Sequence, residues 1–180
     1  ATGQTLFQSG FEVDLGWAPG PLGVQGTWLN TGPGANTSGW IVSGVSTNGA
    51  QSLMIDAQPV RENGWWWVPI AYNPVATANK LLRVETDLQI DARGQGTSAQ
   101  ARSQFGMDLI AMDGNTVGSA WAQQGTGVWH VFGGGQIGTV ATSATSIDGQ
   151  WARIGWSLDF DQARFDFDLD GAATLTNQAF

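Results

Sequence analysis

The feature that most constrains the fold of this chain is a two-residue alternation of apolar and polar side chains, which recurs in four segments. In residues 81–91, LLRVETDLQID, one face carries Leu82, Val84, Leu88 and Ile90. Residues 101–112, 150–160 and 164–171 alternate in the same way. A period of two is typical of a β-strand that buries one face and exposes the other. Four such strands, each with one wet face, predict two sheets packed together.

Turn sequences such as MDGN and LDGA separate these segments at short intervals. Shorter strands are predicted near residues 5–8, 26–30, 40–44, 47–57, 65–70 and 128–132, and no segment shows a convincing helical period. Because 180 residues suffice for one sizeable core, residues 1–180 are predicted to form a single domain. The predicted fold is all-β: an antiparallel two-sheet β-sandwich, most simply a jelly roll.

The charge of the chain limits its partners. The net charge is −8 and Lys80 is the one lysine, so the chain does not offer the cationic surface that nucleic acids or anionic membranes bind. A neutral or cationic partner is expected. No apolar run is long enough for membrane insertion, and the chain has no cysteine. The start at Ala1 suits a mature exported protein, although an artificial boundary would begin the same way, and the few lysines favour a secreted, extracellular or cell-surface location.

Three segments carry a resemblance to known proteins. Residues 150–171, QWARIGWSLDFDQARFDFDLDG, resemble the closing hairpin of concanavalin A-like and laminin-G-like jelly rolls. NGAQSLMI at 48–55 and SGFEVDLGW at 9–17 resemble segments of jelly-roll carbohydrate-binding modules. The resemblance implies glycan recognition, often with a structural calcium ion. The position that it places at such an ion is Glu12, with Asp14 nearby, and a late-strand acid such as Asp168 or Asp170 could supply further oxygen ligands.

The tryptophans of WWW, residues 65–67, are predicted to divide between two faces. In a strand, Trp66 points to the core while Trp65 and Trp67 share the outer face, roughly 6.5 to 7 Å apart. Two neighbouring indoles suit the apolar faces of sugar rings, unless loops cover them. The polar contacts predicted on a wet sheet face are Arg83, Glu85, Asp87, Gln89 and Arg102.

Two enzymatic alternatives are open. VETDLQ, residues 84–89, resembles the Glu-x-Asp-x-Glu of laminarinase-type glycoside hydrolases, which implies catalytic roles for Glu85 and Asp87. Gln89 stands where the third acid belongs and cannot exchange the proton that hydrolysis needs. A polysaccharide lyase would use Tyr72 or His130 as its base. The incomplete acid set favours a non-catalytic protein.

A further alternative is a structural role, in which the sandwich is an adhesive or filament-forming subunit that self-assembles through its edge strands. The ending AATLTNQAF lacks the acidic final strand of the resembled families, so either 174–180 forms the last strand or another segment completes the sheet. The prediction that combines these observations is a secreted, non-catalytic domain of lectin or carbohydrate-binding-module type, which recognises a neutral polysaccharide through exposed tryptophans.

Overall fold

The computed structural model describes residues 4–31, 39–55, 65–90, 104–123, 126–133, 140–145 and 149–179. These residues form antiparallel strands, turns and two 3₁₀ turns at Val13–Leu15 and Leu22–Val24, and none of them lies in an α-helix. The fold is therefore all-β, as predicted. No helix among these residues could cross a membrane. The chain divides into two compact units, Ala1–Asn73 and Pro74–Phe180, called here the N-terminal and C-terminal units.

The N-terminal unit contains two small sheets. Its strands are β1 (Gly20–Pro21), β2 (Leu29–Thr31), β3 (Gly39–Ser43), β4 (Gln51–Ile55) and β5 (Trp65–Trp67). One sheet has the order β1-β3-β4, and the other pairs β2 with β5. A Cβ atom added to Gly39 of β3 would lie 2.5 Å from the indole of Trp66 in β5, so this indole packs between the two sheets.

The C-terminal unit contains two four-stranded antiparallel sheets. Its strands are β6 (Leu81–Gln89), β7 (Gln104–Ile110), β8 (Thr116–Gln123), β9 (Val128–Gly133), β10 (Val140–Thr145), β11 (Trp151–Asp159), β12 (Arg164–Leu169) and β13 (Ala172–Ala179). One sheet is a meander with the order β10-β9-β8-β7. The other has the order β13-β12-β11-β6, so β11, which follows the meander in sequence, pairs back with β6.

The alternating segments bury the face that their period predicted. Both sheets of the C-terminal unit contribute to one core, in which Trp129, Trp156 and Phe167 are the largest fully buried side chains. The apolar face of β6, predicted from residues 81–91, packs against this core. Gly118 of β8 leaves room for the ring of Trp156, since an added Cβ would lie 3.1 Å from it. This packing of two sheets is consistent with the predicted β-sandwich.

Several strand boundaries differ from the sequence-based expectation. Residues 5–8 are not a strand in the structure, and Phe7 of this segment packs edge-on against Trp28; among the described residues the segment joins no sheet. The predictions did not include β1, β8 or β10, whose small and polar residues alternate weakly in hydrophobicity. The last strand is Ala172–Ala179, which pairs with β12 and so completes that sheet from within the chain. The single-domain organisation stays a prediction.

Candidate functional site

Two of the three consecutive tryptophans lie side by side on an exposed face. Trp65 and Trp67 are 43% and 44% exposed and point to the same side of β5. Leu29 of β2 is the cross-strand partner of Trp67 and is 45% exposed. We call these three side chains the indole strip. None carries a charge or a strong hydrogen-bonding group other than the indole N–H, so the strip offers flat apolar surface.

Trp66 fixes the orientation of the strip. Its ring occupies the space that two glycines leave empty: an added Cβ at Gly39 or Gly23 would lie 2.5 Å or 3.4 Å from the indole. Successive side chains of a strand point in opposite directions. The inward position of Trp66 therefore directs Trp65 and Trp67 outward, as the alternation predicted.

Other aromatic residues of the N-terminal unit pack against one another. The ring of Phe11 contacts those of Trp17 and Trp28 at centroid distances of 5.3 Å and 5.7 Å, and Phe7 packs edge-on against Trp28. Trp17 also covers Gly26, which has a φ of +61° and no side chain. These contacts give Trp17 and Trp28 a packing role in the unit.

The predicted polar contacts on β6 belong to an ion-pair network across the outer face of the β13-β12-β11-β6 sheet. The guanidinium of Arg83 crosses the middle strand β11 and donates to Asp168 of β12 through two nitrogens, at 2.5 Å and 3.0 Å. It also donates to Glu85 at 2.8 Å and to Ser157 at 3.0 Å. Hydrogen bonds to Asp168, followed by those to Glu85, raise the pKa of Arg83 against the opposing effect of burial.

Gly155 makes this crossing geometrically feasible. It lies on β11 between Glu85 of β6 and Asp168 of β12 in the strand register. A Cβ at this position would lie 2.2 Å from Nη2 of Arg83 and 2.8 Å from Oδ1 of Asp168. Because Gly155 has no side chain, the guanidinium of Arg83 can lie over β11 and reach β12. Sequence reasoning missed this role, although a glycine inside a strand is a signal of close approach.

A second ion pair lies further along the same face. Arg153 of β11 donates to both carboxylate oxygens of Asp87, at 2.7 Å and 2.9 Å. The hydrogen bond to Asp87 raises the pKa of Arg153. Gln89 donates its amide to the carbonyl of Gly149 at 2.8 Å. Arg102, the remaining predicted contact, lies outside the described residues.

The network bears on the enzymatic alternatives. Glu85 and Asp87, the two candidate catalytic acids, each form an ion pair with an arginine, Arg83 and Arg153 respectively. The structure thus gives both carboxylates a structural partner. Tyr72 belongs to the N-terminal unit, while His130 of the C-terminal unit stacks on Trp121 at a centroid distance of 4.1 Å.

The four candidate calcium ligands are distributed over different local structures. Oε1 of Glu12 accepts the backbone N–H groups of Ala50 and Gln51 at 2.9 Å and 3.0 Å, which ties the opening segment to the turn before β4. Asp14 lies in the first 3₁₀ turn of the same unit.

In the C-terminal unit, Asp168 binds Arg83, and Asp170 accepts the backbone N–H of Arg153 at 2.7 Å. Within the part of the chain that is described, no three such residues group together as a metal site. Glu12 and Asp170 accept backbone amides and Asp168 accepts a guanidinium, and the calcium ion stays a prediction.

The chain was compared with protein-family models, with curated proteins and with solved structures, and none of them matches it.

Proposed function

We propose that this protein is a secreted, non-catalytic domain of the jelly-roll type that recognises a neutral polysaccharide through the indole strip. Pyranose rings have apolar faces of C–H groups that pack on electron-rich indoles. Two indoles that are two residues apart on one strand suit neighbouring rings of an extended glycan. The extracellular location rests on the composition of the chain.

The observation that carries the proposal is the exposure of Trp65 and Trp67 on one face. Large aromatic side chains bury much area on folding, and two adjacent ones that remain nearly half exposed retain that area for a ligand. Leu29 widens the surface beside Trp67. Because no member of the strip is charged, a neutral ligand loses no ionic hydration when it binds there.

The jelly-roll part of the proposal is supported by chain connectivity. In the C-terminal unit, β6 and β11 are neighbours in one sheet, whereas the strands between them in sequence, β7 to β10, form the other. Antiparallel sandwiches of the Greek-key and jelly-roll types contain connections of this kind. The non-catalytic part is supported by the arginine pairs of Glu85 and Asp87.

The experiment is electrophoresis of the folded protein through native gels that contain soluble neutral glucans, xylans or mannans. We expect retardation by at least one of these polymers. Trp65→Ala/Trp67→Ala should abolish it, and Met112→Ala, which removes an exposed apolar side chain of the C-terminal unit, should not. Reducing-end and unsaturated-product assays on the retarding polymer should detect no cleavage.

Three results would contradict the proposal. Retardation that is unchanged in Trp65→Ala/Trp67→Ala would remove the indole strip from the site. Product formation that is lost in Glu85→Gln would identify a hydrolase. A mass in solution that exceeds one chain and falls to one chain in the double variant would identify the strip as an assembly surface.

A further inference from the structure

A second exposed apolar row crosses the three-stranded sheet of the N-terminal unit. Trp40 in the central strand β3 is paired with Pro21 of β1 on one side and with Met54 of β4 on the other. Trp40 and Met54 are 40% and 42% exposed, and Pro21 is exposed as well. We call these three residues the Trp40 row. It presents one indole on the central strand of the sheet, flanked by apolar side chains.

The Trp40 row and the indole strip lie on opposite sides of the N-terminal unit. Gly39 faces the ring of Trp66, so its neighbour Trp40 points away from that ring. Trp65 and Trp67 likewise point away from Trp66 on their own strand. Trp66 therefore lies between two sheets whose outer faces each carry exposed indole.

Charge indicates which partner suits the Trp40 row. The chain has a net charge of −8, yet in the described part of the N-terminal unit the charged side chains are Glu12 and Asp14, both outside β1, β3 and β4. The side chains that share the outer face with the row, Val42 and Ser52, are uncharged. An uncharged, amphipathic ligand complements such a face, whereas an ionic partner would lose hydration without compensation.

We infer that the Trp40 row is a second binding site for the same neutral polysaccharide, so that one chain of this protein bridges two glycan chains. This inference rests on the proposed function, and it adds a site on the opposite face. The indole of Trp40 packs on a pyranose ring, as the indole strip does, and Ser52 supplies a hydroxyl beside it for the sugar hydroxyls. A domain with two opposed sites cross-links a polymer that a one-sited domain merely coats.

The test measures the number of glycan-binding sites per protein chain. Hexasaccharides of neutral β-linked glucose, xylose and mannose are titrated calorimetrically, and the one that binds is used for all variants. We expect two sites per chain in the wild type and in Met112→Ala, one in Trp40→Ala, one in Trp65→Ala/Trp67→Ala, and none in the triple variant. The affinity of the remaining site should stay within about twofold, since distant sites behave independently.

Bridging is measured as turbidity of the matching polymer. The wild type should precipitate it at an intermediate protein ratio, and each variant with one remaining site should bind without precipitating it. Trp40→Phe, which keeps an aromatic ring on the row, should retain the second site with weaker binding. Circular dichroism and the urea midpoint of each variant establish that it is folded.

The remaining outcomes show whether the bridging inference, the proposed function or both fail. One site in the wild type, lost in Trp65→Ala/Trp67→Ala, would overturn the bridging inference and leave the proposed function standing. A site that survives this double variant and is lost in Trp40→Ala would support the Trp40 row and remove the strip. Absence of binding by every hexasaccharide and polymer would overturn both, and a Trp40→Ala variant that alters only the mass in solution would assign the row to contact between copies.

Discussion

The substitution Gly155→Ala tests whether the missing side chain at position 155 of β11 is what allows Arg83 to reach Asp168. The added methyl would lie 2.2 Å from Nη2 of Arg83. Ordinary van der Waals contact is about 3.5 Å, so the guanidinium must move by roughly 1 Å or more. Its paired hydrogen bonds to Asp168 cannot survive this displacement. The ion pair and the glycine therefore compete for one space.

The magnitude follows from two opposed effects. Hydrogen bonds to charged groups contribute about 1.5 to 3 kcal/mol, and because the Arg83 side chain is 40% exposed, solvent screening reduces this to about 1 to 2 kcal/mol. Alanine is more favourable than glycine inside a strand by about 0.5 to 1 kcal/mol. Gly155→Ala should therefore destabilise the wild type by about 1 kcal/mol. In Arg83→Thr/Asp168→Thr, the same change should stabilise the protein by about 0.5 to 1 kcal/mol.

The assay is urea unfolding of the four proteins of this cycle, followed by tryptophan fluorescence and far-ultraviolet circular dichroism, which should give coincident transitions. Urea is preferred to guanidinium because it leaves ion pairs unscreened. The reasoning would be refuted by an equal destabilisation in both backgrounds, which would mean that strand β11 excludes a side chain for another reason. A stabilisation in both would show that the Arg83–Asp168 pair adjusts without loss.

Four further predictions follow from the same contacts. Gly39→Ala should lower the unfolding free energy by about 1 to 3 kcal/mol, because its methyl would enter the ring of Trp66; an unchanged urea midpoint would contradict the packing. Arg153→Met should cost less stability than Arg83→Met and lose that cost in high salt, since the Arg153 pair is more exposed; equal, salt-independent costs in urea would refute this. Glu12→Ala should lower the unfolding free energy by about 1 kcal/mol, because two backbone amides lose their acceptor, and Glu12→Gln should lower it less. A chelator that lowers the melting temperature of the wild type but not of Glu12→Gln would support the calcium prediction. Identical shifts in both proteins would oppose Glu12 as a calcium ligand. The pKa of Arg83 is raised in the folded protein, so the contribution of its ion pair to folding stability is fully present below the ordinary arginine pKa and is lost only as pH rises through the higher folded value. The stability difference between the wild type and Arg83→Met should therefore stay constant from neutral to moderately alkaline pH. A difference that vanishes in this range would show that the pairing is not ionic.

The two surfaces of this protein differ in their chemistry. The outer face of β6, β11 and β12 is charged, but its arginines and acids engage one another across strands. In its described residues, the N-terminal unit exposes tryptophans and carries two charged side chains, Glu12 and Asp14. A neutral ligand would gain more from the second surface, because binding to the first would require ion pairs to open. This difference is why the proposed site comprises the tryptophans without the polar residues of β6.

The local pattern of the sequence determined the buried faces of the long alternating strands. The period of two in residues 81–91, 150–160 and 164–171 identified which side chains are buried, because alternate residues of a strand must point to opposite faces. The same rule separated Trp66 from Trp65 and Trp67. These assignments depend only on neighbouring residues, so they could be made before any strand pairing was known.

Tertiary structure alone decided which side chains meet. Arg83 and Asp168 are 85 positions apart, and their pairing depends on β6 and β12 flanking β11 with a glycine between them. Trp40 faces solvent because Gly39 faces Trp66, a contact between two sheets. Sequence periodicity specifies the face of a residue within its strand, whereas strand order and register specify its neighbours. The sequence therefore indicated that Glu85 and Asp87 of β6 could contact a ligand, whereas in the fold each forms an ion pair with an arginine.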